Sequence, residues 1–318
     1  MTSIRLGRPG GWQHRPANVS VIGPLDYVVQ LGVPVNDSPL MLNLIFTHDG
    51  LYAPAIVRTP PGPGPFPVVI CIHGGSGGLG ISYLVDQMLN RGSVYDRLLA
   101  EGYVVCCTEG RAEIEGAYGT DIPAMLDHND LIAIFGYMQE QPYVDPDRVA
   151  FFGVSHGGEL QMKLISEIQT GPAALVLGEP AVVEYLSLQH QGPRTEQALQ
   201  YNYDLPDSLF DMERVQARLG PISPTVPILV LGRETDHLQG AFRKLVEFLK
   251  RAGKNVHWAS WDHPQHTYHF GPRRAAMTQR SSELGTATSE TGYQPDEAQQ
   301  ASLDYVVSFL NNHVRDRG

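Results

Sequence analysis

The sequence predicts an α/β protein, a mostly parallel sheet flanked by helices and preceded by antiparallel strands. Two observations carry this. From residue 66 onward, apolar runs of strand length alternate with helix-period stretches, the pattern of a sheet covered on both faces. Before residue 60, short alternating runs are separated by turn residues, the pattern of hairpins.

Residues 1–20 are rich in Gly, Pro and Arg and read as a poorly ordered arm. Residues 21–318 read as one domain, since large α/β folds often run to about 250 residues as a unit. Strands are predicted at 27–31, 41–46 and 53–57, with His48-Asp49-Gly50 as a turn between the last two. Five prolines in residues 60–67 make a stiff connector into the strand at 67–72. Helices are predicted at 81–99, 122–139, 159–169 and 240–252. Strands are predicted at 149–154, 173–177, 227–232 and 256–261. A last helix, 295–314, sets Leu303, Val306, Val307 and Leu310 on one face. No internal repeat interrupts this order.

Chemistry concentrates where the strand Val149-Ala150-Phe151-Phe152 runs into Gly153-Val154-Ser155-His156-Gly157. Gly-x-Ser-x-Gly between a strand and a helix is a nucleophile elbow. The serine sits on a strained turn, and small neighbours are needed because the backbone is crowded. The helix behind it presents a partial positive charge to a developing oxyanion. A serine hydroxyl needs a base, and the base needs an orienting acid. The chain supplies both in the order serine, acid, histidine. Arg233-Glu234-Thr235-Asp236 follows one predicted strand, and Asp236 is favoured over Glu234 because it reaches into the loop beyond the strand end. The next strand leads to His263, His266 and His269. His266 is favoured as the base; His269 is the runner-up, and His263 follows its strand too closely. The spacing of the three is a weak metal signal, because Pro264 opposes a helix presenting them together.

The strand at 67–72 ends in His73-Gly74-Gly75-Ser76-Gly77-Gly78, whose glycines let backbone N–H groups approach a substrate oxygen. The expected oxyanion donors are the N–H of Gly75 or Ser76 and that of His156. The glycine run matches neither a P-loop nor a dinucleotide fingerprint, so no phosphate cofactor is expected.

With these residues in view, the chain resembles an α/β-hydrolase of the dienelactone-hydrolase and prolyl-oligopeptidase-like group. The likeness lies in residues 66–78, 99–119, 143–158 and 227–268, and it covers roughly 40–314. Tyr143-Val144-Asp145-Pro146-Asp147-Arg148-Val149 ahead of the elbow is close to the group's pattern, and His266-Thr267-Tyr268 is similar to its His-x-aromatic register. Glu101-Gly102-Tyr103-Val104-Val105 followed by Glu109-Gly110-Arg111 is similar to its crossover strand and Asp-x-Arg loop, with Glu109 replacing Asp. Arg111 then reads as a structural loop arginine rather than a carboxylate binder. The adjacent cysteines in that strand, Glu109 and a long insertion after the histidines depart from the group. The resemblance implies serine hydrolysis and says little about substrate.

The net charge of −11 argues against nucleic acid and against an anionic membrane surface. No apolar run approaches the ~18 residues of a membrane span, and residues 1–20 hold no signal-peptide core. Cys71, Cys106 and Cys107 lie inside apolar strands and do not form a disulfide framework, which favours a cytoplasmic setting.

Two segments break the alternation. Residues 179–223 exceed a usual connection and carry Tyr185, Tyr201, Tyr203, Leu209 and Phe210. They read either as a small lid over the serine or as a crossover helix with extra loops. Glu179 and Tyr185 are its candidate substrate contacts, although Glu179 fits a structural ion pair equally well. Residues 271–300 are polar and read as a flexible insertion. The expected function is cleavage of a small-molecule carboxylic ester by Ser155, His266 and Asp236, without metal or organic cofactor. A small amidase or peptidase is the alternative within hydrolysis. A non-hydrolytic binding protein or lyase on the same fold is the alternative outside it.

Overall fold

The structure is a computed structural model, and it describes residues 19–21, 27–30, 38–75, 80–89, 93–108, 121–168, 171–188, 205–270 and 295–317. Among the described residues, ten strands form one sheet in the order β1-β2-β3-β4-β6-β5-β7-β8-β9-β10. The first four, β1 (Val19–Val21), β2 (Tyr27–Gln30), β3 (Leu40–Phe46) and β4 (Tyr52–Arg58), are antiparallel neighbours, and β4 also pairs antiparallel with β6 (Val104–Thr108). From β6 onward the sheet is parallel, through β5 (Phe66–Ile72), β7 (Val144–Val154), β8 (Leu175–Gly178), β9 (Ile228–Arg233) and β10 (Val256–Trp261). The predicted division into a hairpin region and a parallel region is therefore observed.

The parallel strands are apolar throughout because both faces are covered. Side chains alternate across a strand, so Val68, Ile70 and Phe151 enter one core while Val69, Cys71 and Phe152 enter the other. The adjacent thiols split in the same way, Cys106 to the first core and Cys107 to the second. All three cysteines are buried and free, and burial raises the Cys71 and Cys106 thiols above their ordinary range. The first core is closed by α3 (Asp121–Gln139), α4 (His156–Ile165), α5 (Met212–Leu219) and α6 (Gln239–Arg251). The second is closed by α1 (Gly80–Leu89), α2 (Val94–Ala100) and α7 (Glu297–Leu310). Phe151 and Phe152 are fully buried, and burying a side chain of that size contributes about 2–3 kcal/mol.

The helix expected over 81–99 is two helices. Ser93 caps α2, its hydroxyl accepting the Asp96 N–H at 3.3 Å, and a cap there ends continuity with α1. The helix expected from 159 begins earlier, at His156, directly after the serine. The last helix is capped by a reciprocal pair: the Asp296 carboxylate accepts the Gln299 N–H, and the Gln299 side chain accepts the Asp296 N–H. No helix among the described residues is long and apolar enough to cross a membrane. The predicted arm, the loop carrying Glu109 and Arg111, residues 189–204 with Tyr201 and Tyr203, and residues 271–294 lie outside the described residues. Leu205, Phe210, Val215 and Leu219, which flank 189–204 on one side, are buried in the first core.

Because β5, β7, β8, β9 and β10 run parallel, their C-terminal ends share one sheet edge. Gly74, Ser155, Glu179, Asp236 and His266 all follow those ends.

Candidate active site

Ser155 has φ 52° and ψ −120°, a left-handed conformation that a non-glycine residue adopts at a cost of about 1–3 kcal/mol. The turn is fixed from both sides. The Ser155 N–H donates to the Gly178 carbonyl at 2.8 Å, and the Ser155 carbonyl accepts the N–H groups of Ala181 at 2.9 Å and Gly158 at 3.0 Å. The Ser155 side chain makes no capping bond to its own helix, so the hydroxyl is not used in holding α4.

The elbow's glycines answer to space. A Cβ on Gly157 would stand 2.4 Å from the Ile72 carbonyl oxygen and 2.6 Å from that of His73. Gly157→Ala is accordingly expected to lower stability by about 3–5 kcal/mol, because backbone rather than a mobile side chain blocks the methyl. A denaturant unfolding curve within 1 kcal/mol or so of wild type would refute this. On the opposite wall, a Cβ on Gly74 would lie 2.9 Å from Ser155 Cβ, so the loop after β5 runs directly against the serine. His73 shapes that loop by donating from Nδ1 to the Gly74 carbonyl at 2.6 Å. Gly74, which the sequence analysis did not single out, therefore walls the serine, and Gly75, one of the expected oxyanion donors, is half-buried beside it. Ser76, the other expected donor, lies outside the described residues. His156 opens α4, where the first N–H groups of a helix have no intrahelical acceptor. Its ring sits 3.9 Å from carboxylate oxygens of both Asp127 and Glu159.

Asp236 is fully buried just past β9. Its Oδ2 accepts from His266 Nδ1 at 2.7 Å and from Arg233 Nε at 3.0 Å, and its Oδ1 accepts the Leu238 N–H at 2.8 Å. Burial works to raise its pKa, but the His266 bond and charge, the Leu238 N–H and His237 together outweigh it and hold the carboxyl below 3.8. Its stabilisation is therefore complete above pH 3.8 and is lost as the pH falls below that value. Wild type is expected to lose stability more steeply than Asp236→Asn below about pH 4, and equal acid slopes would contradict this.

With Nδ1 committed to Asp236, His266 keeps Nε2 for proton exchange. The competing residues are engaged elsewhere. Glu234 is exposed, 3.9 Å from Arg243. His263 bonds Asp296 through Nε2 at 2.8 Å and stacks on Tyr268. His269 is fully buried, with Nδ1 bonded to the Ser302 hydroxyl. His237, which the sequence reading passed over, sets its ring 4.7 Å from that of His266. Asp236, His237 and His266 are also a group among the described residues whose atoms lie close enough to hold a metal, all within 4.8 Å. Their use for a metal would compete with the carboxylate–imidazole bond.

Glu179 follows β8 with φ 41° and is fully buried, so it lies beneath the histidine loop rather than on an open wall. Tyr185 is not brought to the serine. Its ring is buried, its hydroxyl bonds Ser166 at 2.8 Å beyond the far end of α4, and burial pushes its pKa up to about 12. Its N–H donates to the buried Glu159 carboxylate at 2.7 Å, which explains its place in the core.

An open, mostly parallel sheet with a serine on a left-handed strand-to-helix turn, and an acid and a histidine beyond later strands, defines the α/β-hydrolase architecture. A family model of the alpha/beta hydrolase fold matches residues 120–270. A thermophilic carboxylesterase from a metagenomic library is 17% identical, with 88% of this chain and 90% of that chain covered and a TM-score of 0.57. Carboxyl esterase 2 of Tuber melanosporum is 17% identical over 87% of each chain, TM-score 0.56. Dipeptidyl peptidase 4 of Porphyromonas gingivalis is 17% identical, with 87% of this chain but 36% of that chain covered, TM-score 0.54. No curated protein sequence matches. The chain thus has the α/β-hydrolase fold and is similar to that family over residues 120–270.

Proposed function

We propose that this protein is a serine hydrolase that cleaves small carboxylic esters through an acyl-enzyme on Ser155. The observation that carries the reading is the 2.7 Å bond between His266 Nδ1 and the buried Asp236 carboxylate, on the sheet edge that also presents Ser155 at φ 52°. Ser155 Oγ attacks the carbonyl carbon while His266 Nε2 takes its proton. Asp236 keeps the Nδ1–H tautomer and stabilises the imidazolium. The N–H groups of His156 and of Gly75 or Ser76 hold the oxyanion at the α4 N-terminus. His266 returns the proton to the departing alcohol, then activates water to release the acid. This set of groups completes the cycle without metal or organic cofactor. The buried free thiols fit a reducing, cytoplasmic setting.

The test is labelling by a fluorophosphonate together with turnover of p-nitrophenyl esters of rising chain length, aryl amides alongside. Labelling with ester turnover supports the reading. Turnover of amides but not esters would favour a peptidase. Folded protein that neither labels nor turns over either class would leave the fold in non-hydrolytic use.

A further inference from the structure

Beneath the His266 loop lies a second buried carboxyl–imidazole pair that the proposed chemistry does not consume. Glu179 and His269 are both fully buried. Glu179 Oε2 accepts the Thr267 N–H at 2.5 Å and stands 3.8 Å from His266 Nδ1. Its Oε1 faces His269 Nε2 at 3.4 Å, and neither atom has a hydrogen-bond partner among the described residues. His269 is anchored in turn by Ser302 on α7. Glu179 itself is fixed to the sheet, its N–H donating to the Leu231 carbonyl at 2.9 Å.

The backbone explains what this arrangement does. Thr267 has φ 64°, a conformation that a β-branched side chain strongly disfavours. Glu179, at φ 41°, is strained as well. Strain of this kind persists only where surrounding contacts over-determine it. The contact on Thr267 is the Glu179 carboxyl, one residue from His266. A buried carboxyl with one unbonded oxygen is costly unless its other oxygen makes a strong bond, and that bond is spent on the peptide that aims the imidazole.

We propose that Glu179 is a positioning residue for His266. It holds the Thr267 peptide in its left-handed turn, so that His266 meets Asp236 with Nδ1 and presents Nε2 towards Ser155. The proposal rests on the serine-hydrolase reading for its kinetic consequence, but not for its structural one. Reach rather than charge is the working property. Glu179→Gln keeps an oxygen for the Thr267 N–H and offers an amide donor to His269 Nε2. Glu179→Asp keeps the carboxyl group and withdraws the oxygen by one methylene. Glu179→Ala removes both.

Two measurements on the full chain test this. In p-nitrophenyl acetate kinetics, Gln is expected to keep kcat within about threefold of wild type. Asp is expected to lose about tenfold and Ala about a hundredfold, with KM within about twofold throughout, since misplacing a catalytic group by about 1 Å costs on that order. Amide hydrogen exchange over residues 262–270 is expected to quicken in Asp and Ala but not in Gln. An Ala variant with kcat within threefold of wild type, or Gln losing as much as Ala, overturns the proposal. If Ala does not fold, the order of Gln over Asp decides, and the reverse order overturns it. If wild type neither labels with fluorophosphonate nor turns over esters, the hydrolase reading fails separately. Exchange then still decides whether Glu179 holds the loop, and unchanged protection in Asp overturns it.

Discussion

Ser155→Ala is expected to lower ester turnover about ten-thousand-fold or more, abolish fluorophosphonate labelling, and leave the unfolding free energy within about 1 kcal/mol of wild type. The two halves of this expectation come from different features. Loss of turnover follows from removing the only atom proposed to bond the acyl group. Unchanged stability follows from the local structure. Alanine keeps the Cβ that serine already carries at φ 52°, and the hydroxyl makes no bond to α4. The backbone bonds to Gly178, Ala181 and Gly158 are untouched. Kinetics and labelling beside a denaturant curve check both halves. Residual turnover above a tenth of wild type would place the nucleophile elsewhere.

Asp236→Asn is expected to be nearly as damaging to kcat, about a thousand- to ten-thousand-fold, and unlike Ser155→Ala it should also cost about 3 kcal/mol of stability. An amide satisfying the Leu238 N–H with its oxygen turns its NH2 towards His266 Nδ1, which must then accept. That tautomer puts the proton on Nε2, where a base needs a lone pair. The same change strips the buried Arg233 guanidinium of its carboxylate partner, although its bonds to the carbonyls of His263 and Pro264 remain. Stopped kinetics with the fold intact but unfolding at lower denaturant is the expected signature. A variant with full stability would mean that Arg233 draws little from the pair.

The elbow is legible in the sequence because its determinants are local. Gly-x-Ser-x-Gly, the strand before it and the helix after it lie within a score of residues, and each glycine answers a contact from the same turn or from the adjacent strand β5. The sheet was legible for a related reason, since continuous apolar runs mark strands covered on both faces. The proposed acid and base, Asp236 and His266, were legible in order and favoured by position, and the structure brings these two together. Three histidines in seven residues look alike until the fold sets His266 against Asp236, His269 against Ser302 and His263 against Asp296. Tyr185 and Glu179 show the limit most plainly. Their surroundings depend on which strand lies beside β8 and on a buried carboxylate in α4, neither of which leaves a mark in the neighbouring sequence. The break at Ser93 rests on a single capping side chain, a faint mark beside the apolar period of 81–99.

The strand order has a temporal meaning. After β7, each later parallel strand joins the free margin of the sheet in the order in which it is translated, β8, then β9, then β10. At roughly 5–20 residues per second, the stretch from Ser155 to His266 takes on the order of ten seconds to synthesise. Throughout that interval the elbow can already stand on its strand while His266, its proposed base, has not yet been made. On the serine-hydrolase reading the nascent chain then carries a serine that is already shaped but lacks its base. Ser302, which steadies His269, comes later still. On the same reading, the centre is completed only after β8, β9 and β10 have been made, the last two leading to its acid and base.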